Sequence, residues 1–211
     1  MTSLLYVECS PRKQRSASIE VSQSFLDAYQ EKHPGSTVQQ MNLWNTDLPE
    51  FDEEAMAAKY TGLSGGVRTS SQEAAWDRIK QLAQPFSAAD KILFAVPLWN
   101  FSIPYKLKHL IDLISQKDVL FNFDENGFTG RLTGKKAAVI YARGLDYFSS
   151  STATPQAGYD FQRPYMEMWL NFIGISDIST IIVEKTLYGA EIDTQARENA
   201  KREAAMLARE F

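Results

Sequence analysis

Ile92-Leu93-Phe94-Ala95-Val96, led by Lys91 and closed by Pro97, is an unbroken apolar run of strand length. A strand with one wet face alternates apolar and polar residues, whereas a continuous run belongs to a strand covered on both faces, as in a parallel sheet. Leu4-Leu5-Tyr6-Val7, Ala137-Ala138-Val139-Ile140-Tyr141 and Thr180-Ile181-Ile182-Val183 share that character, and residues 37–43 add a weaker strand with Val38 and Met41 as its apolar positions. Helical stripes lie between them. Ile19, Ser22, Phe25, Leu26 and Tyr29 keep helical spacing up to about His33, where Pro34-Gly35 stops the pattern. Ala75, Trp76, Ile79 and Leu82 predict a helix over 69–86, and Leu107, Leu110, Ile111 and Ile114 another, with Pro104 in its first turn. Residues 165–172 read as a fourth, and a last helix begins at Ala190 with Ile192, Ala196, Ala200, Ala204 and Leu207 on its buried face. Residues 45–66 read as irregular surface cover. Phe121 and Phe123, before Asp124-Glu125-Asn126-Gly127, predict a small hairpin insertion. Five strands alternating with five helices predict an α/β fold, a doubly wound parallel sheet with helices on both faces, in one domain over 1–211.

Composition narrows the function. The 211 residues, 44% hydrophobic and 23% charged, fill one α/β core and exclude wholesale disorder. A net charge of −4 argues against nucleic acid as a partner and against a polybasic membrane contact. No apolar run approaches the roughly 18 residues of a membrane span. The N-terminal residues lack a basic lead and read as a strand, not a signal peptide. Cys9 is the only cysteine, which excludes an intrachain disulfide and suits a cytoplasmic setting. His33 and His109 are far apart, so no metal site is expected.

In such a sheet ligands bind beyond the carboxyl ends of the strands. The loop after the first strand, residues 10–18, contains no glycine, so it matches neither a dinucleotide fingerprint nor a Walker loop. It presents Ser10, Ser16 and Ser18 before a helix N-terminus, a cup suited to a terminal phosphate monoester; the plainer reading is that Ser16 or Ser18 caps the helix. The loop after the third strand, Pro97-Leu98-Trp99-Asn100-Phe101, offers aromatic walls and backbone amides that suit a flavin ring, against ordinary aromatic packing as the alternative. In the loop Ala142-Arg143-Gly144-Leu145-Asp146-Tyr147, Gly144 allows close backbone approach. Arg143 there serves either a reduced flavin or, the favoured reading, a carboxylate that ties the loop.

At these loops the chain resembles the FMN-dependent NADH azoreductases of the flavodoxin-like quinone-reductase superfamily. The resemblance runs over nearly the whole chain. Its anchors are Ser10 with Ser16-Ala17-Ser18, the run from Ala95 to Pro104, Glu125-Asn126-Gly127 with Gly130, Leu132-Thr133-Gly134-Lys135-Lys136, Ala142-Arg143-Gly144 and Phe172-Ile173-Gly174-Ile175. It implies a flavodoxin-like fold holding FMN non-covalently, with NADH or NADPH as hydride donor and a quinone or azo compound as acceptor in a ping-pong cycle. It also implies a homodimer. Ser10, Ser16, Ala17 and Ser18 would surround the phosphate, Leu98, Trp99, Asn100 and Phe101 would edge the ring, and Ala142, Arg143, Gly144 and Leu145 would cover its pyrimidine end. Phe121, Tyr147 and Trp169 are the expected substrate-side residues, with core packing as the alternative for Trp169. The third loop departs from the family pattern Ser-Arg-Gly-Gly, with alanine at 142 and leucine at 145. No side chain is expected to be essential for the chemistry, which the cofactor carries. The rival reading is a flavodoxin-type electron carrier that docks on protein partners, and a third is a regulator that keeps the fold without turnover.

Overall fold

The computed structural model describes residues 2–148 and 150–211. Its strands are β1 (Ser3–Glu8), β2 (Thr37–Asn42), β3 (Lys91–Pro97), the hairpin pair β4 (Phe121–Asp124) and β5 (Gly127–Gly130), β6 (Lys136–Ala142) and β7 (Asp177–Val183). Five of them form one parallel sheet in the order β2-β1-β3-β6-β7. The chain steps outward from β1 to β2, then returns past β1 to β3 and builds in the other direction. The loops after β1 and β3 therefore diverge and leave a crevice at the carboxyl end of the sheet.

The apolar runs of β1, β3 and β6 bury both faces, as expected, whereas β7 lies at the sheet edge and buries only Ile181 and Val183 on one face. Leu4, Tyr6, Leu93, Ala95, Ala138 and Ile140 pack under α1 (Ala17–Lys32) and the C-terminal helix. Leu5, Val7, Ile92, Phe94, Val96, Val139 and Tyr141 form the larger core on the opposite face.

The structure has seven α-helices among the described residues, not five: after α1 come α2 (Glu53–Leu63), α3 (Ser70–Ala88), α4 (Tyr105–Ile114), α5 (Gln156–Tyr159), α6 (Gln162–Phe172) and α7 (Ala190–Glu210). The stretch expected to be irregular thus contains α2. Asp52 caps it by accepting from the Ala55 amide at 3.0 Å, and only Ala55 and Ala58 are buried, so it has almost no apolar stripe. At α3, Thr69 and Gln72 form a reciprocal capping box. The expectation for α7 also needs correction at its first turn. Ile192 is exposed, because burial along this helix is carried by Ala200, Ala204 and Ala208 further on, whose small side chains let α7 lie close against α1.

The hairpin is seated by a pair of glycines. A Cβ at Gly130 would stand 2.1 Å from the Gly174 nitrogen, so the β5 backbone lies directly on the turn that ends α6. The Leu132 amide then donates to the Ile173 carbonyl at 2.8 Å.

On the other face Glu20 of α1 takes Arg197 at 2.7 Å and Lys201 at 3.0 Å from α7. Partial burial pushes the Glu20 carboxyl up, but the two cations outweigh it and hold it below its ordinary value. Stability from a depressed acid is present above its unfolded pKa, about 4.3, and is lost as pH falls through the folded value. Glu20→Gln should therefore cost about 1 kcal/mol or less at pH 7 in urea unfolding, and the gap to the parent should narrow as pH falls below about 4.3.

Candidate functional site

The first loop is held from below by a buried carboxylate. Glu8, at the end of β1, accepts from Gln40 at 2.7 Å and Asn42 at 2.9 Å, and Lys13 reaches back to it at 3.2 Å. That reach fits the left-handed backbone of Lys13, φ 51°. Beyond it Ser10, Ser16, Ala17 and Ser18 are all buried. Ser16 occupies the N-cap of α1, yet its side chain makes no capping bond. Its hydroxyl instead lies 3.1 Å from that of Ser18. The plain capping reading therefore fails at Ser16, and two hydroxyls lie paired at a helix N-terminus.

The second loop is a tight turn. Trp99 and Ser102 exchange both backbone hydrogen bonds at 2.9 Å, and the two residues between them, Asn100 at φ 46° and Phe101 at φ 69°, are both left-handed. Such a turn normally takes glycine at its second central position, so a phenylalanine there stores strain. Neither central amide has an acceptor among the described residues. Trp99 packs near Trp44 at 5.8 Å and Tyr105 at 6.3 Å, while Phe101 meets Tyr159 edge-on at 5.2 Å. Trp44 also donates from its indole to the Cys9 carbonyl at 3.1 Å, which joins the first loop to the second. Trp44, Tyr105 and Tyr159 are not among the residues expected here: Trp44 and Tyr159 stand in stretches without periodic pattern, and Tyr105 opens α4 off its buried stripe.

The third loop joins the second through the Leu98 amide, which donates to the Ala142 carbonyl at 2.8 Å. The favoured reading of Arg143 as a loop tie is what the structure has. Its guanidinium, 1% exposed, binds Asp160 at 2.7 Å, Glu184 at 3.0 Å and Gln162 at 3.1 Å. Burial outweighs the arginine's influence and keeps Glu184 above the usual carboxylate range. The room that Gly144 leaves is taken by this chain's own Leu187, since a Cβ at 144 would stand 2.6 Å from its Cδ1. Leu145 is half-buried, and its carbonyl accepts from the Lys185 amide at 3.3 Å.

The three expected substrate-side residues are not brought to these loops as open side chains. Trp169 is a core residue. It packs edge-on against Phe86 and Phe94 at 6.5 and 6.1 Å and donates to Ser115 Oγ at 2.9 Å, because the stripe of α6 faces the sheet. Tyr147 is buried with its ring 5.5 Å from the Arg143 guanidinium, and burial raises its phenol. Phe121 is half-buried against Phe172 at 4.8 Å, on the hairpin. Cys9 is fully buried and its thiol is pushed up by that burial, which leaves it packing and no nucleophile. Among the described residues no cluster of metal-ligating side chains occurs, and no helix is long and apolar enough to cross a membrane.

A family model described as flavodoxin-like fold matches residues 2–207. An FMN-dependent NADH:quinone oxidoreductase 9 from Burkholderia lata is 61% identical over the full length of both chains. The chain belongs to this flavodoxin-like family. The structure also superposes on a crystal structure of an azoreductase from Bacillus anthracis with a TM-score of 0.90, at 27% identity and full coverage of both chains. A second Bacillus anthracis structure, an FMN-dependent NADH-azoreductase in complex with FMN, gives 0.84 at 27% identity, covering 99% of this chain and all of the other. These two solved structures thus share the overall fold of this chain over nearly its whole length.

Removing the Arg143 guanidinium leaves Asp160 and Glu184 buried with no cation. Arg143→Met should cost about 3–5 kcal/mol in urea unfolding, and Arg143→Lys, which keeps charge but not the planar fork, should recover only part of it. An unchanged unfolding midpoint with weakened ligand binding would instead make Arg143 a ligand residue.

Proposed function

We propose that this chain is an FMN-dependent NADH:quinone oxidoreductase that also accepts azo compounds, with residues 1–211 acting as one unit. The observation that carries the reading is the pair of left-handed residues Asn100 and Phe101, whose amides have no acceptor among the described residues, at the mouth of the crevice. A strained turn that presents two fixed donors has a use where negative charge must be met without reorganisation.

The residues present fit FMN. Ser10, Ser16 and Ser18, with the N-terminal amides of α1, suit its terminal phosphate. Leu98, Trp99, Asn100 and Phe101 suit the edge of its ring, and the backbone from Ala142 to Leu145 closes the far side. Bound there, FMN would supply hydride transfer from NADH or NADPH to the acceptor. The chain's own part is to bind and orient. The serine hydroxyls anchor one end, the two amides offer preorganised donors at the other, and the exposed rings of Phe101 and Tyr159 limit water at the mouth. None of these roles requires a nucleophile or a general base. We also propose a homodimer. The uncovered hairpin rings Phe123 and Phe128, 52% and 63% exposed, support a surface that a second copy covers, and a neighbouring copy is the route by which Phe121 would approach an acceptor.

The purified protein should be yellow and release FMN, not FAD, on denaturation. Ser16→Ala and Ser18→Ala should each weaken FMN by about 1.5–3 kcal/mol, with riboflavin binding all three forms alike; equal FMN affinity throughout would misplace the phosphate. NADH oxidation should run with a soluble quinone and no protein partner, by a species that sediments as a dimer at assay dilution. Turnover only with an added carrier protein would favour the electron-carrier reading.

A further inference from the structure

The serine cup stands beside a buried negative charge. Glu8 leaves only 6% of its side chain exposed at the end of β1, two residues before Ser10. Its Oε2 accepts from Gln40 and its Oε1 from Asn42, both neutral amides of β2. These bonds give the carboxylate a structural purpose. Asn42 in turn accepts from the Trp44 amide at 3.0 Å, and the Trp44 indole holds the Cys9 carbonyl, so Glu8 orders the approach to the crevice from β2. The two amides satisfy its lone pairs but leave its charge. That charge is felt on both sides of it: after burial itself, Glu8 is the next cause that pushes up the Tyr6 phenol and the Cys9 thiol.

An anion in the cup would meet a like charge that bulk water screens poorly. Lys13 answers it. Among the described residues it is the one cation paired with Glu8, at 3.2 Å, and it comes from the loop itself, between Ser10 and Ser16. Its backbone is left-handed, φ 51°, a region that a lysine seldom adopts, and its carbonyl accepts from the Ser16 amide at 2.9 Å. One residue thus shapes the turn that places Ser16 and returns a cation to the carboxylate. The loop does not lack other cations. Arg12 and Arg15 are exposed and pair with no carboxylate among the described residues, yet the residue in the strained conformation is the one that reaches Glu8.

We propose that Lys13 is a positioning residue for the phosphate: by neutralising Glu8 it lets the serine cup accept a doubly charged group, and it acts through that carboxylate, without touching the ligand. This rests on the reading of Ser10, Ser16 and Ser18 as the phosphate cup. It adds the reason why a cup made of hydroxyls and amides holds an anion next to a carboxylate that the fold cannot do without.

Quenching of flavin fluorescence, read as the flavin-free protein is titrated into FMN or into riboflavin, tests it. Lys13→Met should weaken FMN about tenfold, the effect of one uncancelled charge at a partly buried site, and leave riboflavin as in the parent. Lys13→Arg should keep the FMN affinity. Adding Glu8→Gln to Lys13→Met should restore most of the lost FMN affinity, although no cation has been returned. If Glu8→Gln does not fold, Gln40→Lys in the Lys13→Met background answers the same carboxylate from β2 and should restore FMN likewise. A lysine that contacted the phosphate directly would be rescued by neither change. FMN affinity unchanged in Lys13→Met, equal losses of FMN and riboflavin, or a loss that neither second substitution reverses would each overturn the proposal. Should Ser16→Ala and Ser18→Ala separate FMN from riboflavin while Lys13→Met does not, the phosphate reading stands and this one fails. If no serine variant separates the two flavins, both readings fall.

Discussion

A guanidinium with almost no exposed surface needs its charge and its five donors answered inside the protein, and at Arg143 the answer comes from three side chains on two separate segments. Asp160 and Gln162 belong to the approach to α6, and Glu184 follows β7 directly. Gln162 in turn donates to the Val96 carbonyl at 3.0 Å, so β3 is included as well. Asp160 uses its second oxygen for the amides of Gln162 and Arg163, at 3.2 and 3.1 Å, which satisfies the first turn of α6. One buried cation therefore fixes the relative position of β3, β6, β7 and α6 at the end of the sheet where the crevice opens. Charge burial on this scale is a weak source of net stability but a strong source of uniqueness, because any rearrangement would leave a buried carboxylate unanswered.

That node explains how the second loop tolerates its strain. Left-handed backbone at Phe101 costs on the order of 1 kcal/mol or more and persists only where the surroundings over-determine it. The surroundings here are the reciprocal Trp99–Ser102 bonds and the Phe161 amide, which donates to the Phe101 carbonyl at 2.9 Å just ahead of α6. The position of that amide follows from Asp160, and the position of Asp160 follows from Arg143. Packing energy in the interior is thus converted into a fixed orientation of two amides at the surface.

The parts of this arrangement that could be read from the sequence are those whose cause is local. An apolar run such as 92–96 carries its own evidence of two-sided burial, and Asp124-Glu125-Asn126-Gly127 is a turn by its chemistry alone. The α2 helix was hidden because its buried face is two alanines, although Asp52-Glu53-Glu54 is an N-terminal signal that a propensity reading could have used. The partners of Arg143 lie 17, 19 and 41 residues away and leave no periodic trace. Trp169 misled for the opposite reason. Its spacing with Tyr165 and Phe172 was visible, and such a stripe means packing unless something else takes the face; Phe86 and Phe94 show that nothing else does.

The same distinction between side-chain and backbone roles accounts for the unusual third loop. Where relatives are expected to carry serine and glycine, this chain has Ala142 and Leu145, changes that would matter if those side chains touched a ligand. What the structure asks of both positions is a carbonyl: Ala142 accepts from Leu98 and Leu145 from Lys185. Any residue supplies a carbonyl. The position that cannot change as freely is Arg143, which must be arginine to serve three acceptors, whereas a Cβ at Gly144 would have only to push aside the exposed side chain of Leu187. Within this loop Arg143 alone acts through atoms specific to its residue type, and its neighbours act through their backbone.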